Sequence, residues 1–219
     1  LLNAFPDGGY VTSYDERTGA SLVFRTGPSE RSRVIAGHSH ADVLSVNISR
    51  RGCGILVDPG TYTYRRHPRS ESQARNDWRY YFVGPEAHNN ITIDGIDPLG
   101  PISGDFRDRS YPVEAQYTIA VADRSVAFMK SRLRGKGAYD GVFRSIIHRL
   151  GEYYLLVDMV PTETPHDQVD SSYQFSERFS PRALGERNIA LADEEEEWTL
   201  SICDSGGKVE HYRGMVDPI

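Results

Sequence analysis

The sequence contains few cysteines and no long hydrophobic segment. Its 219 residues include two cysteines, Cys53 and Cys203, which are too few for a disulfide-stabilised scaffold. We expect both to be free, buried thiols, the common role of unpaired cysteine. No window approaches the roughly 18 consecutive apolar residues that a transmembrane helix requires. The sequence therefore predicts no membrane span.

An excess of positive charge is also lacking. The chain carries 25 lysine and arginine residues against 31 aspartate and glutamate residues, a formal net charge of −6. Nucleic-acid-binding domains are typically basic, so we expect no nucleic-acid partner. An anionic substrate is compatible with this balance if positive charge is concentrated locally. The polar segment 64–78 provides such a concentration, with Arg65, Arg66, Arg69 and Arg75.

Long helical patterns are absent, and short apolar segments bounded by Gly, Pro, Asp or Asn predominate. Such segments are typical of β-strands. Strands are predicted at Gly8–Tyr14, Ser21–Arg25, Val43–Ser49, Cys53–Asp58, Asn89–Asp94, Val113–Ala122, Ser125–Leu133, Val142–Leu150, Tyr153–Val160, Ser171–Phe179, Asn188–Ala192 and Trp198–Cys203. Short helical turns are predicted at Glu71–Asp77 and Pro181–Glu186. About twelve or more strands with few short helical turns indicate an all-β fold, a large antiparallel sandwich formed by residues 1–219 as one domain.

Histidine and aspartate residues stand at the ends of three predicted strands. They occur in Gly37-His38-Ser39-His40-Ala41-Asp42, Asp58-Pro59-Gly60-Thr61-Tyr62 and Ala87-His88-Asn89. In an extended chain alternate side chains share a face, so His38, His40 and Asp42 are expected to point the same way. Imidazole nitrogen and carboxylate oxygen are suitable zinc ligands, and we select His40, Asp58 and His88 as the candidate set. The same side chains could instead be hydrogen-bonded polar groups without a metal.

These motifs together resemble those of the heparinase II/III-like polysaccharide lyases. Two further motifs add to the resemblance, Phe5-Pro6-Asp7-Gly8-Gly9-Tyr10 and Arg79-Tyr80-Tyr81-Phe82. The likeness extends over about residues 5–95 and concerns the C-terminal β-sandwich of the family, which is joined there to an N-terminal helical toroid. It implies a zinc ion bound by His40, Asp58 and His88. It also implies two catalytic residues, His38 facing the substrate and Tyr62 lining the cleft.

The resemblance implies cleavage of uronic-acid-containing glycans by β-elimination. The implied partners are an anionic polysaccharide and the helical toroid of the same parent chain, which carries the family's main catalytic tyrosine. Arg75, Arg79 and Asn89 are candidates for binding the uronate carboxylate. The chain opens with neither an initiator methionine nor a signal-peptide pattern, so we expect a piece of a longer protein or a mature product. Because the resemblance places the main catalytic tyrosine in the toroid, we expect this domain to be inactive alone. The family suggests a bacterial, periplasmic or secreted protein.

Two other functions stay open at this point. A zinc-dependent hydrolase would use an open coordination position for water and a nearby general base such as Asp42. A non-catalytic carbohydrate-binding or structural sandwich would use aromatic residues as a stacking platform. The candidates for that platform are Tyr62, Tyr64, Trp78, Tyr80 and Tyr81. An unsaturated product would identify a lyase, a saturated product a hydrolase, and binding without turnover a binding domain.

Overall fold

A computed structural model describes residues 1–27, 40–62, 78–100, 113–134, 137–163, 166–194 and 196–202. The chain divides into two compact units, Leu1–Gln174 and Phe175–Ile219. Across the described ranges, no helix is both long enough and apolar enough to cross a membrane. The predicted helical turn Glu71–Asp77 lies outside these ranges, as do His38, Arg75 and Cys203.

The first unit is built almost entirely from antiparallel strands. Its described strands are β1 (Leu2–Phe5), β2 (Tyr10–Asp15), β3 (Ala20–Arg25), β4 (Val46–Arg50), β5 (Cys53–Leu56), β6 (Ile91–Ile93), β7 (Glu114–Ala122), β8 (Val126–Arg134), β9 (Phe143–Arg149), β10 (Tyr153–Met159) and β11 (Val169–Ser171). One α-helix is described, α1 (Trp78–Val83), together with 3₁₀ turns at Pro6–Gly8, Pro85–Ala87 and Gly137–Tyr139. The predicted all-β class is confirmed.

Strands that are consecutive in the sequence are neighbours in the two larger sheets. The first sheet has the order β1-β2-β3-β4-β5, and the second has the order β10-β9-β8-β7. The β7–β8 turn is closed by Asp123, whose Oδ1 accepts the backbone N–H groups of Ser125 at 2.6 Å and Val126 at 2.8 Å. Such an Asx turn favours a tight reversal, which pairs β7 with β8.

The inner faces of these two sheets form the core of the first unit. Alternate residues of the strands point inward, as a period of two requires. The buried apolar side chains include Val11, Leu22, Phe24, Ile48, Met129, Leu133 and Ile146. Two polar contacts cross between the sheets: the Ser131 hydroxyl donates to the Thr26 carbonyl at 3.0 Å, and Ser13 Oγ lies 2.9 Å from His148 Nδ1. These contacts establish the sandwich arrangement within this unit.

A small sheet and α1 complete the first unit on the side of the candidate ligands. Strands β6 and β11 pair antiparallel, from Ile91 opposite Ser171 to Ile93 opposite Val169. The predicted strand Ser171–Phe179 is mostly wrong, because in that range only Ser171 belongs to a strand. The predicted strand Val43–Ser49 likewise begins later, at Val46.

The second unit contains a three-stranded antiparallel sheet in the order β12-β13-β14. Its strands are β12 (Ser180–Ala183), β13 (Asn188–Ala192) and β14 (Glu197–Ser201). The predicted helical turn Pro181–Glu186 is wrong, because β12 occupies its first half. Proline is common at the first position of a helix, which is why Pro181 suggested a helix start. In the described sheet, however, β12 pairs with a neighbour along one side alone, and proline is tolerated on such an edge strand.

Candidate metal centre

The structure brings together the three predicted ligands. One possible ligand atom from each of His40, Asp58 and His88 lies within 4.8 Å of the other two. His88 Nδ1 is 3.1 Å from Asp58 Oδ2, and the two imidazole rings have centroids 5.3 Å apart. The cluster therefore joins residues separated by up to 48 positions in the sequence.

Asp58 is placed by the turn that follows β5. Its Oδ1 accepts the backbone N–H of Gly60 at 2.8 Å, which leaves Oδ2 directed at His88. Gly60 has a φ of 76°, a conformation that glycine adopts without steric cost. Burial would raise the pKa of Asp58, but the hydrogen bond and charge of His88 and the Gly60 N–H hold it below its ordinary value. Asp58 is therefore maintained as a carboxylate.

His40 is held by a residue that the sequence patterns did not single out. Thr61 Oγ1 lies 3.0 Å from His40 Nε2. The next residue, Ala41, donates its N–H to the carbonyl of Val83 in α1 at 2.9 Å. Thr61 follows Asp58 by three residues, and only the turn between them brings its hydroxyl to the histidine. No local signal in the sequence indicates this contact.

The chain after His40 turns instead of running extended. The Ser45 N–H donates to the Asp42 carbonyl at 3.0 Å, and Leu44 has a φ of 60°. The expectation of an extended chain, in which His40 and Asp42 point the same way because side chains alternate, is therefore wrong: this segment forms a turn. The backbone carbonyls of this segment have partners in the turn and in neighbouring elements, since Asp42 accepts from Ser45 and Leu44 accepts from Arg144.

His88 occupies the end of the 3₁₀ turn Pro85–Ala87 and is 1% exposed. Its Nε2 is buried and has no hydrogen-bond partner within the described part of the chain. A buried polar atom without a partner costs stability, so such atoms call for an explanation. A binding site at this imidazole is consistent with that open nitrogen.

A second carboxylate lies next to the cluster. Asp42 Oδ1 is 3.1 Å from the Nε of Arg25, the last residue of β3, and Arg25 also donates to the hydroxyl of Tyr10. Burial raises the pKa of Asp42 above its ordinary value, against the attraction of Arg25 and His88. Asp42 is thus paired with the guanidinium of Arg25, at the end of β3. It does not belong to the group formed by the three candidate metal ligands.

Tyr62 is exposed at the end of the turn that follows Asp58. Its side chain is 51% exposed, and its ring stacks on Phe82 of α1 with centroids 5.4 Å apart and an interplanar angle of 9°. Its φ is 67°, in the left-handed region that non-glycine residues seldom adopt. The backbone after Asp58 is therefore shaped so that this aromatic ring faces solvent.

Two of the predicted substrate-binding residues are buried. Asn89 is 1% exposed, and Arg79 is 4% exposed. The Asn89 amide donates to the Val57 carbonyl at 3.0 Å, and its oxygen accepts the Gln174 N–H at 2.6 Å. This arrangement gives Asn89 a structural role between neighbouring segments, and its contact with substrate stays a prediction. The buried position of Arg79 on α1 likewise removes its side chain from the surface.

The segment before the second unit borders the segments that carry Asp58 and His88, a role that the sequence did not indicate. The Ser172 N–H donates to the Asn90 carbonyl at 3.0 Å. The side-chain amide of Gln174 donates to the Glu86 carbonyl at 2.8 Å, and the backbone carbonyl of Gln174 accepts the Val57 N–H at 2.9 Å. These bonds replace strand pairing where a strand had been predicted, and they fasten the ends that carry Asp58 and His88.

Comparisons with known proteins agree on one family. The family model described as "Heparinase II/III-like, C-terminal" matches residues 1–214. A search of the curated proteins found no significant match.

Solved structures show the same fold. A heparan sulfate lyase, HepC from Pedobacter heparinus, is 13% identical with a TM-score of 0.64, and the match covers 89% of this chain and 27% of that one. The heparinase III BT4657 gene product is 15% identical with a TM-score of 0.62, over 87% of this chain and 26% of that one. This chain therefore spans about a quarter of the length of these enzymes.

Proposed function

The chain belongs to the heparinase II/III-like C-terminal family, and from this membership we propose that it is the β-sandwich domain of a polysaccharide lyase. The proposed substrate is an anionic, uronic-acid-containing glycan that is cleaved by β-elimination. The proposed cofactor is one zinc ion bound by His40, Asp58 and His88. The observation that carries the proposal is the convergence of these three side chains, with ligand atoms within 4.8 Å of one another.

The donor set supports zinc. Two imidazoles and one carboxylate form a combination that zinc accepts in proteins. The pKa of Asp58 lies below its ordinary value, so this ligand is already deprotonated near neutral pH, as metal binding requires. The buried Nε2 of His88 has no hydrogen-bond partner in the described ranges, and His40 and Asp58 are each oriented by a neighbouring hydrogen bond. When bound, zinc would supply positive charge and hold the three segments together.

The reaction assigns work to residues of this chain beyond the ligands. In β-elimination a base removes the proton at C5 of the uronate, the C4–O4 bond breaks, and a C4–C5 double bond forms while O4 takes up a proton. The enzyme must neutralise the carboxylate so that negative charge can develop at C5. We assign proton transfer or carboxylate binding to His38, and a position in the cleft to Tyr62. The exposed, stacked ring of Tyr62 supports this position.

Activity is proposed for the complete parent protein. Because the chain spans 26–28% of the length of the similar solved structures, most of such an enzyme lies outside it. We propose that an N-terminal helical toroid of the same parent chain completes the cleft, and that residues 1–219 alone are inactive. We further propose that the parent protein is periplasmic or secreted, where polymeric glycans are accessible.

A panel of uronic-acid polymers tests the proposed reaction. The full-length parent protein, purified without added metal, should contain close to one zinc per chain and should release products with the ultraviolet absorbance of an unsaturated uronate. Saturated products would identify a hydrolase instead. Binding of the polymers without any turnover would identify a carbohydrate-binding sandwich, and a well-folded protein free of metal would contradict the ligand assignment.

A further inference from the structure

The buried arginine of β9 contacts both segments that carry the histidine ligands. Arg144 is fully buried in the first unit. Its Nε and Nη2 donate to the two carboxylate oxygens of Asp158 on β10, at 2.6 Å and 2.8 Å. This bidentate pair compensates the charge and sets the orientation of the guanidinium.

The remaining terminal nitrogen of Arg144 bridges two backbone carbonyls. Nη1 donates to the Leu44 carbonyl at 2.8 Å and to the Asn89 carbonyl at 2.6 Å. Leu44 lies in the turn that follows His40, and Asn89 directly follows His88. One nitrogen therefore spans the two segments, although neither is a neighbour of Arg144 in the sequence.

We propose that Arg144 is a positioning residue that holds the segments of His40 and His88 at the separation required for metal binding. The inference rests on the metal site of the proposed function. Residues outside the first coordination shell commonly orient metal ligands, and their loss typically weakens metal affinity by about 10–100-fold. Here the contact acts through the backbone, one residue from His88 and four residues from His40.

The shape of the side chain explains why arginine is needed. The planar guanidinium presents fixed N–H donors, so it can satisfy a carboxylate on one side and two carbonyls on the other. A lysine has one ammonium group and cannot reproduce both contacts in this geometry. A second tie runs in parallel, because the Asn90 amide donates to the Ala41 carbonyl at 2.7 Å. We therefore expect a weakened site, with the ligands still present, when Arg144 is replaced.

The test compares zinc affinity in full-length variants. Arg144→Lys preserves the positive charge, and the double variant Arg144→Met with Asp158→Leu removes the pair without leaving a buried charge. Zinc dissociation constants are measured by chelator competition well below the melting temperature, and the cobalt-substituted proteins are examined by visible absorption. We expect an affinity about 10–100-fold lower in both variants, with an altered cobalt spectrum.

A matched control separates positioning from general destabilisation. Met129→Ala truncates a fully buried side chain of β8 in the core of the same unit. It should lower the melting temperature but leave zinc affinity and the cobalt spectrum unchanged. Equal affinity in wild type and both Arg144 variants, or an equal loss in Met129→Ala, would overturn the role of Arg144 while leaving the metal site intact. A wild-type protein that binds neither metal would overturn the site itself, and this inference with it.

Discussion

Ser13 on β2 and His148 on β9 share a hydrogen bond of 2.9 Å between the two sheets of the first unit. Both side chains are 1% exposed, and the His148 ring stacks on Tyr154 with centroids 4.4 Å apart. His148 is thus a core residue with a hydrogen-bond partner. This histidine is therefore part of the packing of the sandwich and lies outside the group formed by His40, Asp58 and His88.

The burial of His148 predicts acid sensitivity. Burial lowers its pKa from 6.5 to about 4, and the charge of Asp15 opposes this effect. The unfolded chain thus binds a proton near pH 6.5, whereas the folded chain binds it near pH 4. The contribution of His148 to the free energy of unfolding is fully present above pH 6.5. It decreases by about 3 kcal/mol as the pH falls from 6.5 to 4.

Unfolding in denaturant from pH 7 to pH 4 checks this prediction, with a chelator present so that metal loss does not contribute. His148→Gln keeps a polar side chain but removes the titration, so its stability should change less over the same window. An equally steep loss in wild type and variant would show that other groups, such as the carboxylates, cause the acid sensitivity.

The two histidines separated by one residue are expected to fail differently. His40→Ala should lose zinc and lower the melting temperature, because metal binding contributes to folding free energy. His38→Ala should keep zinc and stability, yet lose activity in the complete protein, since proton-transfer groups typically contribute about 10²–10⁴-fold. Zinc content, melting temperature and kcat of both full-length variants check the prediction. Zinc loss in His38→Ala with retention in His40→Ala would reverse the two assignments.

Thr61 is expected to support metal binding through His40. Thr61→Val keeps the shape of the side chain but removes the hydroxyl that lies 3.0 Å from His40 Nε2. Zinc affinity should fall by about 10–100-fold, as for other residues that orient metal ligands. Thr61→Ser retains the hydroxyl and serves as the control, with near wild-type affinity. Chelator competition measures both, and equal affinities in the two variants would show that the hydroxyl has no such role.

Asn89 is expected to affect stability more than substrate binding. Asn89→Ala would leave the Gln174 N–H and the Val57 carbonyl without their partner, and an unsatisfied buried group costs about 1–3 kcal/mol. We expect a lower melting temperature in the absence of substrate. Glycan binding by the folded variant, measured at low temperature, should be close to wild type. A large increase in KM with unchanged stability would instead support the predicted role of Asn89 in substrate binding.

The sequence by itself determined the strands that local pattern specifies. Predicted Ser125–Leu133 and Val142–Leu150 correspond to β8 and β9 with shifts of one residue at each end. Alternating burial and tight turns are encoded within a few residues, so these hairpins can be recognised without tertiary information. Local pattern also allowed the three candidate ligands to be selected, because each lies next to a recognisable motif or apolar strand.

Only the tertiary structure decided how the site is held. The turn after His40, the Thr61 contact and the burial of Asn89 depend on atoms from distant segments. The bond from Arg144 to Leu44 joins residues 100 positions apart. Local propensity also misassigned β12, because pairing with β13 overrode the helical signal of Pro181. Strand pairing and buried hydrogen bonds of this kind form between segments that no local pattern connects. They are therefore visible only in the tertiary structure.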